Sequence, residues 1–467
     1  MDLLTDRFTP TDGVLINALR RGPQPAAELA LTLGISVATV HRRLDAVRQA
    51  GLLQVAGRAR RTRYGLRRRL RDGASAWRVY RIDESGAGHE SGELTLLQPQ
   101  GSWMAARALG WPVPEEASEG WWPGLPYLLH DMRPQGFMGR AFARLEHEAL
   151  GVSADPAAWS DDDILHVLVQ RGWDTSGNLS IGDGAYLAWQ RQRMSASIPL
   201  SASDTAAAYI AMADDAVASG VPGSSAAGEF PKFTARREAP PGQDSGTPHV
   251  LVKFSAADDS AAVRRWSDLL VCEHLALSSW QRGGQGRAAC SRILQAGGRT
   301  FLEVERFDRH AEWGRSGLAS LESVNAALLG MPLNDWTAVG RRLKALGLLD
   351  EADAQAIERL AWFGRLLSNT DMHAGNLSFA PADGRLRLAP AYDMLPMLYA
   401  PLPGGEVPPR SGEPPLPLPG QREAWHAAFA PALSFWREAS DDARITSAFR
   451  QICAGHARQL QAAAQHA

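Results

Sequence analysis

Short apolar runs at helical spacing open the chain and are separated by turn signals. Residues 25–34 (PAAELALTLG) predict a short helix that ends at Gly34, and Ser36 is a good N-cap for the next helix, 37–50. The apolar residues that mark an earlier helix and the stripe of the 37–50 helix are Leu15, Ile16, Leu19, Val40, Leu44 and Val47. LLQVAGRARRTRYGLRR then alternates around Gly57 as a two-stranded hairpin would. Together these elements predict a winged helix-turn-helix over residues 1–75.

Beyond residue 75 the pattern changes to short strands followed by helices. WRVYRIDE, ELTLLQP and HVLVKFS (249–255) alternate like strands, and SDTAAAYIAMADDAVAS (203–219) is helical. An amphipathic helix that contains Glu273 follows, and then a strand at RTFLEVERFDRH. These elements predict an α+β body after residue 75. In residues 76–220 nothing has the density of a catalytic site, and the tryptophans there are expected to be packing residues.

Composition places the chain among globular proteins with an uneven charge. Of its 467 residues 45% are hydrophobic and 21% charged, and no apolar run is long enough for a membrane span. Three cysteines without metal-type spacing, and a start that lacks a signal-peptide pattern, favour a cytoplasmic protein. The net charge is −2, yet residues 1–70 hold 13 Arg, no Lys and five acidic residues. A basic head on an acidic body predicts nucleic-acid binding by the head alone.

Two sets of head residues are candidates for DNA contact. On the helix expected to enter the major groove they are Ser36, Thr39, His41, Arg42 and Arg43. In the hairpin, the arginines expected to contact phosphates are Arg58, Arg60, Arg61 and Arg63. A helical protein-interaction domain with a solvated arginine face is the alternative. Because winged domains often dimerise to read paired half-sites, a homodimer is compatible with this prediction.

A Gly-rich stretch precedes a strand that carries a lysine. VPGSSAAGEFPKFTA (221–235) could bring backbone N–H groups close to phosphate oxygens, with Lys232 adding charge. It is not a Walker A loop, since Gly228 is followed by Glu229, and a plain turn is the alternative. Lys253 then lies on the 249–255 strand, as the phosphate-binding lysine of protein kinases does. Only three of the 49 basic residues are lysines, which indicates a requirement for a compact ammonium group at these positions.

The most specific pattern lies nearer the C-terminus. LLSNTDMHAGNLSF contains Asp371 and, five residues later, Asn376, and LAPAYDML adds Asp393. In protein kinases such an Asp and Asn form the catalytic loop, and a later Asp holds magnesium. One carboxylate orients the attacking hydroxyl and accepts its proton, while the other oxygens hold the metal against the phosphates. Taken singly, Asp371 could be a helix cap, His373 a loop histidine and Asp393 a turn residue. Their order after the strand lysine favours phosphoryl transfer.

Five motifs together resemble the HipA family of bacterial serine/threonine kinases, the toxins of type II toxin–antitoxin systems: SAAGEFPKF, LVKFS, EVERFDR, SNTDMHAGN and LAPAYDML. GLPYLLHDMRPQGFMGRAF is similar to the family's N-terminal subdomain. A helix-turn-helix is not part of the usual HipA chain, whose DNA binding comes from a separate antitoxin, so the fused head is typical of the YjjJ (HipH)-like members. The resemblance implies a two-lobed, protein-kinase-like body with an N-terminal subdomain (76–220), N-lobe elements (221–305) and a mostly helical C-lobe (306–467).

The resemblance also implies individual roles. Asp371 becomes the catalytic base, Asn376 and Asp393 the Mg²⁺ ligands, and Glu305–Phe307 the adenine-side hinge. The ATP-binding residues that it implies are Ala227, Gly228, Glu229, Phe230, Pro231, Lys232, Lys253, Glu305, Arg306, Phe307, His373, Asn376, Tyr392 and Asp393. Ser225, or Ser224 beside it, matches the family's autophosphorylated serine. Pro231 departs from the polar residue usual in this loop and removes a backbone N–H that could have met a phosphate.

The sequence therefore predicts an ATP- and Mg²⁺-dependent serine/threonine protein kinase, a toxin that carries its DNA-binding domain in cis. By resemblance its substrate is a protein, for example an aminoacyl-tRNA synthetase. Two alternatives stay open. One is a DNA-binding transcription regulator whose kinase-like body senses a ligand without turnover. The other is a metal-dependent nuclease, a function that would leave the strand lysine and the Gly-rich loop without a purpose.

Overall fold

A computed structural model of the chain describes residues 10–71, 73–195, 198–218, 230–239, 246–333 and 335–467. The predicted loop residues Ala227, Gly228 and Glu229, and both candidate serines, Ser224 and Ser225, lie outside the described residues.

The head has the predicted order of elements: helices α1 (Pro10–Leu19), α2 (Ala26–Leu33) and α3 (Val37–Gln49), then an antiparallel hairpin of β1 (Leu53–Ala56) and β2 (Arg63–Leu66). Gly34 ends α2 in the left-handed conformation, with φ at 63°. Ser36 Oγ accepts a hydrogen bond from Thr39 N and so caps α3. The predicted stripe of Val40, Leu44 and Val47 is buried in a core of the head's own. Helices, turn, cap and hairpin are thus confirmed.

The middle segment is an antiparallel sheet with helices packed on it. Its strands are β3 (Ala76–Ile82), β4 (Gly88–Leu96), β5 (Ser102–Trp103), β6 (Trp121–Trp122) and β7 (Leu179–Ile181), in the order β6-β5-β4-β3-β7. Its helices are α4 (Gly136–Leu150), α5 (Asp161–Arg171) and α6 (Asp183–Met194). The expectation that its tryptophans pack is confirmed for the buried residues Trp111, Trp121, Trp122, Trp159 and Trp189.

Arginines after the hairpin tie the head to this middle segment. Arg68 donates to both carboxylate oxygens of Asp162 at 2.7 and 2.6 Å. Arg71 donates to Asp163 at 3.1 Å and to the Leu150 carbonyl at 2.8 Å. Because these partners lie at the start of α5 and the end of α4, the head is fixed to the body at two elements.

A second antiparallel sheet follows helix α7 (Thr205–Ala218). Its strands are β8 (Lys232–Arg236), β9 (His249–Phe254), β10 (Ser291–Ala296) and β11 (Arg299–Glu305), in the order β10-β11-β9-β8. Tyr209 of α7 packs on the face that carries Val250 and Val252. Helix α8 (Ala261–Arg282) covers the opposite face. Lys232 pairs directly with Lys253 across β8 and β9, so both lysines extend from the face toward α8.

The C-terminal part is mostly helical. Its short strands are β12 (Arg309–His310), β13 (Gly314–Arg315), β14 (Ala319–Ser320), β15 (Ser378–Ala382) and β16 (Arg385–Leu388). Its helices are α9 (Leu321–Leu328), α10 (Trp336–Ala345), α11 (Glu351–Leu366), α12 (Arg422–Asp441) and α13 (Ser447–Ala463). One continuous core joins the middle segment, α8 and this helical part, through residues such as Leu129, Leu270 and Trp436. The mixed helix and sheet content confirms the α+β prediction.

The Pro- and Gly-rich stretch after β16 has almost no regular structure before residue 419 and packs on α12, where Trp425 Nε1 donates to the Pro415 carbonyl at 2.9 Å. Within the described ranges, no helix is both long and apolar enough to cross a bilayer.

Candidate active site

The strand lysine is the centre of a buried ion cluster. Lys253 Nζ donates to both carboxylate oxygens of Glu273 at 2.8 Å. Lys253 lies on β9 and Glu273 on α8, and both side chains are almost fully buried. The sequence predicted the helix that carries Glu273 but did not establish which way this side chain faces. The structure makes it the partner of the lysine.

Asp393 completes the cluster from the C-terminal part of the chain. Lys253 Nζ also donates to Asp393 Oδ1. The backbone of Asp393 is left-handed, with φ at 55°, a conformation that costs energy for a residue other than glycine. Asn369 Nδ2 donates to the Asp393 carbonyl at 3.3 Å and helps to hold this conformation. Strain of this kind is characteristic of residues whose side chains are aimed at a functional site.

The charges of the cluster shift one another's pKa. Burial by itself would lower the pKa of Lys253, but the Asp393 and Glu273 carboxylates outweigh burial and raise it. Burial opposes ionisation of Asp393 as well, yet Lys253 and Lys232 hold the pKa of Asp393 below its ordinary value. Burial raises the pKa of Glu273 to about 7, against the attraction of Lys253. Of the three groups, therefore, Glu273 is the one whose pKa is shifted toward neutral pH.

Hydrogen bonds fix the segment between Asp371 and Asn376. Asp371 N donates to Asn369 Oδ1 at 3.0 Å, and Asn376 Nδ2 donates to the Asp371 carbonyl at 2.9 Å. The Asp371 side chain is exposed, whereas Asn376 is buried. The Asn376 amide nitrogen already donates a hydrogen bond within the loop. Its amide oxygen is therefore the atom suited to coordinate a cation. The predicted pair is thus held in one rigid turn that also contacts Asp393 through Asn369.

His373 and Tyr392 support this turn. Gly375 N donates to His373 Nδ1 at 3.0 Å, so the histidine caps the short helical turn at 374–376. Tyr392 Oη donates to the Gly375 carbonyl at 2.5 Å and lies 2.7 Å from Ser378 Oγ. Burial raises the pKa of Tyr392, which keeps it a hydrogen-bond donor. In this structure both residues hold the turn in place.

The predicted hinge begins at Glu305, the last residue of β11, and its three side chains point to different partners. Glu305 pairs with Arg237 at 2.9 Å. The Arg306 guanidinium lies 3.4 Å from Asp174 and 3.1 Å from Asp308. Phe307 packs on the ring of Tyr392, with 5.5 Å between ring centres. Of the three, the aromatic ring is the one suited to contact a base.

The structure describes the predicted ATP loop from residue 230 onward, and this part contributes packing as well as charge. Phe230 is buried edge-on against Trp266, with 4.7 Å between ring centres. Pro231 has no N–H, and its carbonyl accepts a hydrogen bond from Phe254 N at 3.0 Å, which extends the β8–β9 ladder. This end of the loop is therefore anchored to the sheet beside the two lysines.

These side chains line a single cleft of about 1110 Å³. The predicted residues on its walls are Phe230, Lys232, Lys253, Glu305, Arg306, Phe307, Asp371, His373, Asn376, Tyr392 and Asp393. The middle segment supplies a further wall, which includes Arg133, Gln135, Asp174 and Thr175. The sequence of residues 76–220 shows no catalytic motif, yet loops of this segment line part of a cleft whose motifs lie far away in sequence.

The donor set fits a magnesium–nucleotide complex. Asn376 and Asp393 offer oxygen ligands, the kind that Mg²⁺ prefers. Within the described ranges no group of three or more His, Cys, Asp or Glu side chains could hold a metal ion. Mg²⁺ is commonly bound by one or two protein oxygens together with water and substrate phosphates, so a small donor set is sufficient when the nucleotide is present. Lys232 and Lys253 on the facing sheet supply charge that matches phosphates.

Known proteins with similar sequences identify the family to which this chain belongs. A model of the YjjJ-like toxin middle domain matches residues 73–190, and a model of the HipA-like C-terminal domain matches residues 224–464. Toxin YjjJ of Escherichia coli strain K12 is 37% identical over 438 residues, which are 94% of this chain and 95% of that protein. The chain belongs to the YjjJ-like family of HipA-like toxins. The resemblance predicted from the sequence is confirmed.

Two solved structures resemble this YjjJ-like chain at lower identity. A chain of the Shewanella oneidensis MR-1 complex of HipA, HipB and operator DNA aligns with a TM-score of 0.47 and 17% identity, covering 84% of this chain and 97% of that one. The Helicobacter pylori proinflammatory kinase CtkA aligns with a TM-score of 0.35 and 11% identity, covering 51% and 91%.

In the head of the YjjJ-like chain, the candidate DNA-binding residues differ in their exposure to solvent. The exposed ones are Ser36, His41, Arg42, Arg58, Arg60, Arg61 and Arg63, whereas Thr39 and Arg43 are half-buried. His41 Nδ1 lies 3.3 Å from Tyr64 Oη, which joins α3 to the hairpin. Gly57 allows the hairpin turn, since its φ is 94° and a Cβ there would lie 2.3 Å from the Arg61 carbonyl oxygen. The hairpin arginines therefore project from a tightly fixed turn.

Proposed function

We propose that this YjjJ-like toxin is an ATP- and Mg²⁺-dependent serine/threonine protein kinase with a DNA-binding head in the same chain. The observation that carries the proposal is one cleft in which Lys253, Asp393 and the Asp371–Asn376 turn converge from two parts of the chain. A lysine, an acid–amide pair and a second acid are the residues that protein kinases use for phosphoryl transfer.

In this proposal each group has a distinct task. Lys253, held by Glu273, neutralises phosphate oxygens, and Lys232 adds charge beside it. Asn376 and Asp393 would hold Mg²⁺, which supplies Lewis-acid stabilisation of charge on the phosphates. Asp371, exposed at the cleft, orients the serine or threonine hydroxyl of the substrate and accepts its proton. Catalysis rests on positioning and electrostatic stabilisation, since the phosphoryl group needs little covalent help.

The proposed partner of the head is DNA. The exposed arginines of the hairpin and α3 supply phosphate contacts, and His41 and Arg42 are placed to reach base edges from α3. An electrostatic interface of this kind weakens steeply with salt.

The kinase proposal is tested with γ-labelled ATP and Mg²⁺ on the full chain and on the Asp371→Ala variant. Label is transferred to protein by the wild type and not by the variant, while calorimetry finds ATP bound equally by both. The matched control is Asp383→Ala, a turn residue between β15 and β16 that is not part of the cleft lining. Equal labelling by wild type and Asp371→Ala contradicts the role of Asp371.

Two other results point to the alternatives. Nucleotide binding without transfer in the wild type favours the transcription regulator with a non-catalytic body. If no nucleotide binds, the same sample is assayed for Mg²⁺-dependent DNA cleavage.

A further inference from the structure

A second buried ion cluster lies beside the cleft and has no task in the reaction proposed above. We call it the hinge brace; its members are Asp174, Arg306, Asp308, Arg309 and Arg315. Asp174 Oδ1 accepts a hydrogen bond from Arg309 Nη2 at 2.8 Å. It also lies 3.4 Å from Arg306 Nη1 and 3.7 Å from Arg315 Nη2. One carboxylate of the middle segment thus meets three guanidiniums that follow β11.

Main-chain hydrogen bonds extend the same connection. The Thr175 carbonyl accepts from Arg309 Nη2 at 2.6 Å, and the Gly177 carbonyl accepts from Arg309 Nη1 at 3.0 Å. In the opposite direction, Gly177 N donates to Asp308 Oδ2 at 2.9 Å. The loop that follows α5 is therefore bonded along its length to the residues after the hinge.

The hinge brace is buried and its charges are not balanced. The side chains of Arg309 and Arg315 are 1% and 4% exposed, and Asp174 is 27% exposed. Three guanidiniums face two carboxylates, so Asp174 supplies half of the negative charge. Burying ions is costly, and an apolar replacement often gives equal stability. The distinctive effect of such a cluster is to fix one arrangement of the segments that it joins.

The segments joined by the hinge brace form one wall of the cleft. Asp174, Thr175, Arg306, Phe307 and Asp308 all line it. Phe307 directly follows Arg306, and its ring packs on Tyr392. The backbone at Arg306 is tied to the sheet, since Arg306 N donates to the His249 carbonyl at 3.0 Å. Asp174 therefore contacts the side chain of Arg306, while β9 holds its backbone.

We propose that Asp174 is a positioning residue for the nucleotide. By holding Arg306 and Arg309 it fixes the hinge backbone and keeps Phe307 at the place where the base binds. The proposal rests on the proposed function, since it requires ATP in the cleft. In this proposal the middle segment contributes to nucleotide binding through Asp174.

The test compares Asp174→Asn with Asp268→Asn in the full chain. Asp268 is a matched control, because it is a buried carboxylate that accepts from Thr446 N and Oγ1 at 2.7 Å and is not part of the cleft lining. For each protein, the melting temperature, the Kd for ATP with Mg²⁺ and the kcat and KM of phosphotransfer are measured.

We expect Asp174→Asn to raise the Kd and the KM for ATP roughly tenfold, with kcat changed less than about threefold. This is the pattern of a residue whose binding contribution is equal in the ground state and the transition state. Asp268→Asn lowers the melting temperature but leaves the ATP constants within about twofold of wild type. A merely structural role for Asp174 would give the pattern of Asp268→Asn and would overturn the proposal.

A second variant covers the case in which Asp174→Asn does not fold. Asp174→Asn combined with Arg315→Gln has the same net charge in the hinge brace as the wild type, but lacks the Asp174 carboxylate that accepts from Arg306 and Arg309. We expect this variant to fold and to show the same weakened ATP binding; wild-type affinity in it overturns the proposal. Failure of the proposed function is distinguishable. A wild type that binds ATP without transferring phosphate refutes the kinase proposal, while the comparison of Kd values still tests Asp174. A wild type that binds no ATP refutes both.

Discussion

At the scale of single residues, Lys253 connects the two sides of the cleft through its ion pairs. It neutralises Glu273 of α8 and Asp393 of the C-terminal part at once. Without it two carboxylates would face each other in a buried site. We therefore expect this one residue to affect both stability and phosphate binding.

We expect Lys253→Met to lower phosphotransfer at least about 100-fold, since a principal charge for the phosphates is lost. The free energy of unfolding should fall by about 3–5 kcal/mol, the usual cost of leaving a buried ion without its partner. Urea unfolding and the labelling assay measure the two effects. Lys344→Met is the control, because Lys344 pairs with Glu351 on the surface, where an ion pair contributes little to stability.

The double variant Lys253→Met/Glu273→Gln separates the two effects. It should regain part of the lost stability, because one unpaired carboxylate is removed, and should stay inactive. Recovery of activity in the double variant would contradict the role of Lys253.

We expect Glu273 to make nucleotide binding depend on pH. Folding raises its pKa from 4.5 to about 7, so the folded chain binds this proton more tightly than the unfolded chain. Its contribution to the free energy of unfolding is fully present below about pH 4.5 and is lost as the pH rises through about 7. The ionised form is the one that holds Lys253 by charge, so ATP affinity should increase between about pH 6 and 8. In Glu273→Gln this increase should disappear; an unchanged pH profile there would contradict the assignment.

At the scale of elements, the turn at 371–376 depends on Tyr392. Its hydroxyl bonds the Gly375 carbonyl and Ser378, and its ring supports Phe307. Tyr392→Phe leaves the ring in place and removes the donor, which should cost about 1–3 kcal/mol of stability.

We expect Tyr392→Phe to lower kcat roughly tenfold, with a KM for ATP within about threefold of wild type, because the turn that carries Asp371 and Asn376 is loosened. Tyr399→Phe is the control: Tyr399 is also buried and hydrogen-bonded, to His456, but is not part of the cleft lining. If the two variants have the same kcat, Tyr392 does not position the turn.

The elements themselves were largely predictable, because each is encoded locally. Ser36 and Gly34 predict the start of α3 and the end of α2, and the alternation of HVLVKFS predicts β9. The direction of Glu273 was not predictable, since α8 is apolar on several faces and either side could have met the sheet. The contacts of Asp174 were also not predictable from the sequence. It lies more than a hundred residues from its arginine partners, in a segment with the composition of an ordinary loop.

At the scale of the whole molecule, the arginines of the head fall into two classes. Arg60 and Arg61 are exposed on the hairpin, whereas Arg68 and Arg71 bond to the middle segment. Positive charge alone, counted along the sequence, does not distinguish them. The structure therefore predicts which of these arginines contact DNA phosphates, and composition alone could not.

We expect Arg61→Ala to weaken DNA binding and to reduce the slope of log K against log salt by about one, the signature of one lost phosphate contact. Arg68→Ala should leave this slope unchanged, because its guanidinium is occupied by Asp162. Fluorescence anisotropy with a duplex across a salt series measures both. Equal slopes for the two variants would contradict the assignment of the hairpin to phosphate contact.

The most direct test of phosphoryl transfer in this cleft is the mass of the purified chain after incubation with ATP and Mg²⁺. We expect the wild type to gain phosphate on Ser225 or Ser224, and Asp371→Ala to gain none. An unmodified wild type that binds ATP, yet labels neither itself nor any added protein, would contradict the kinase proposal.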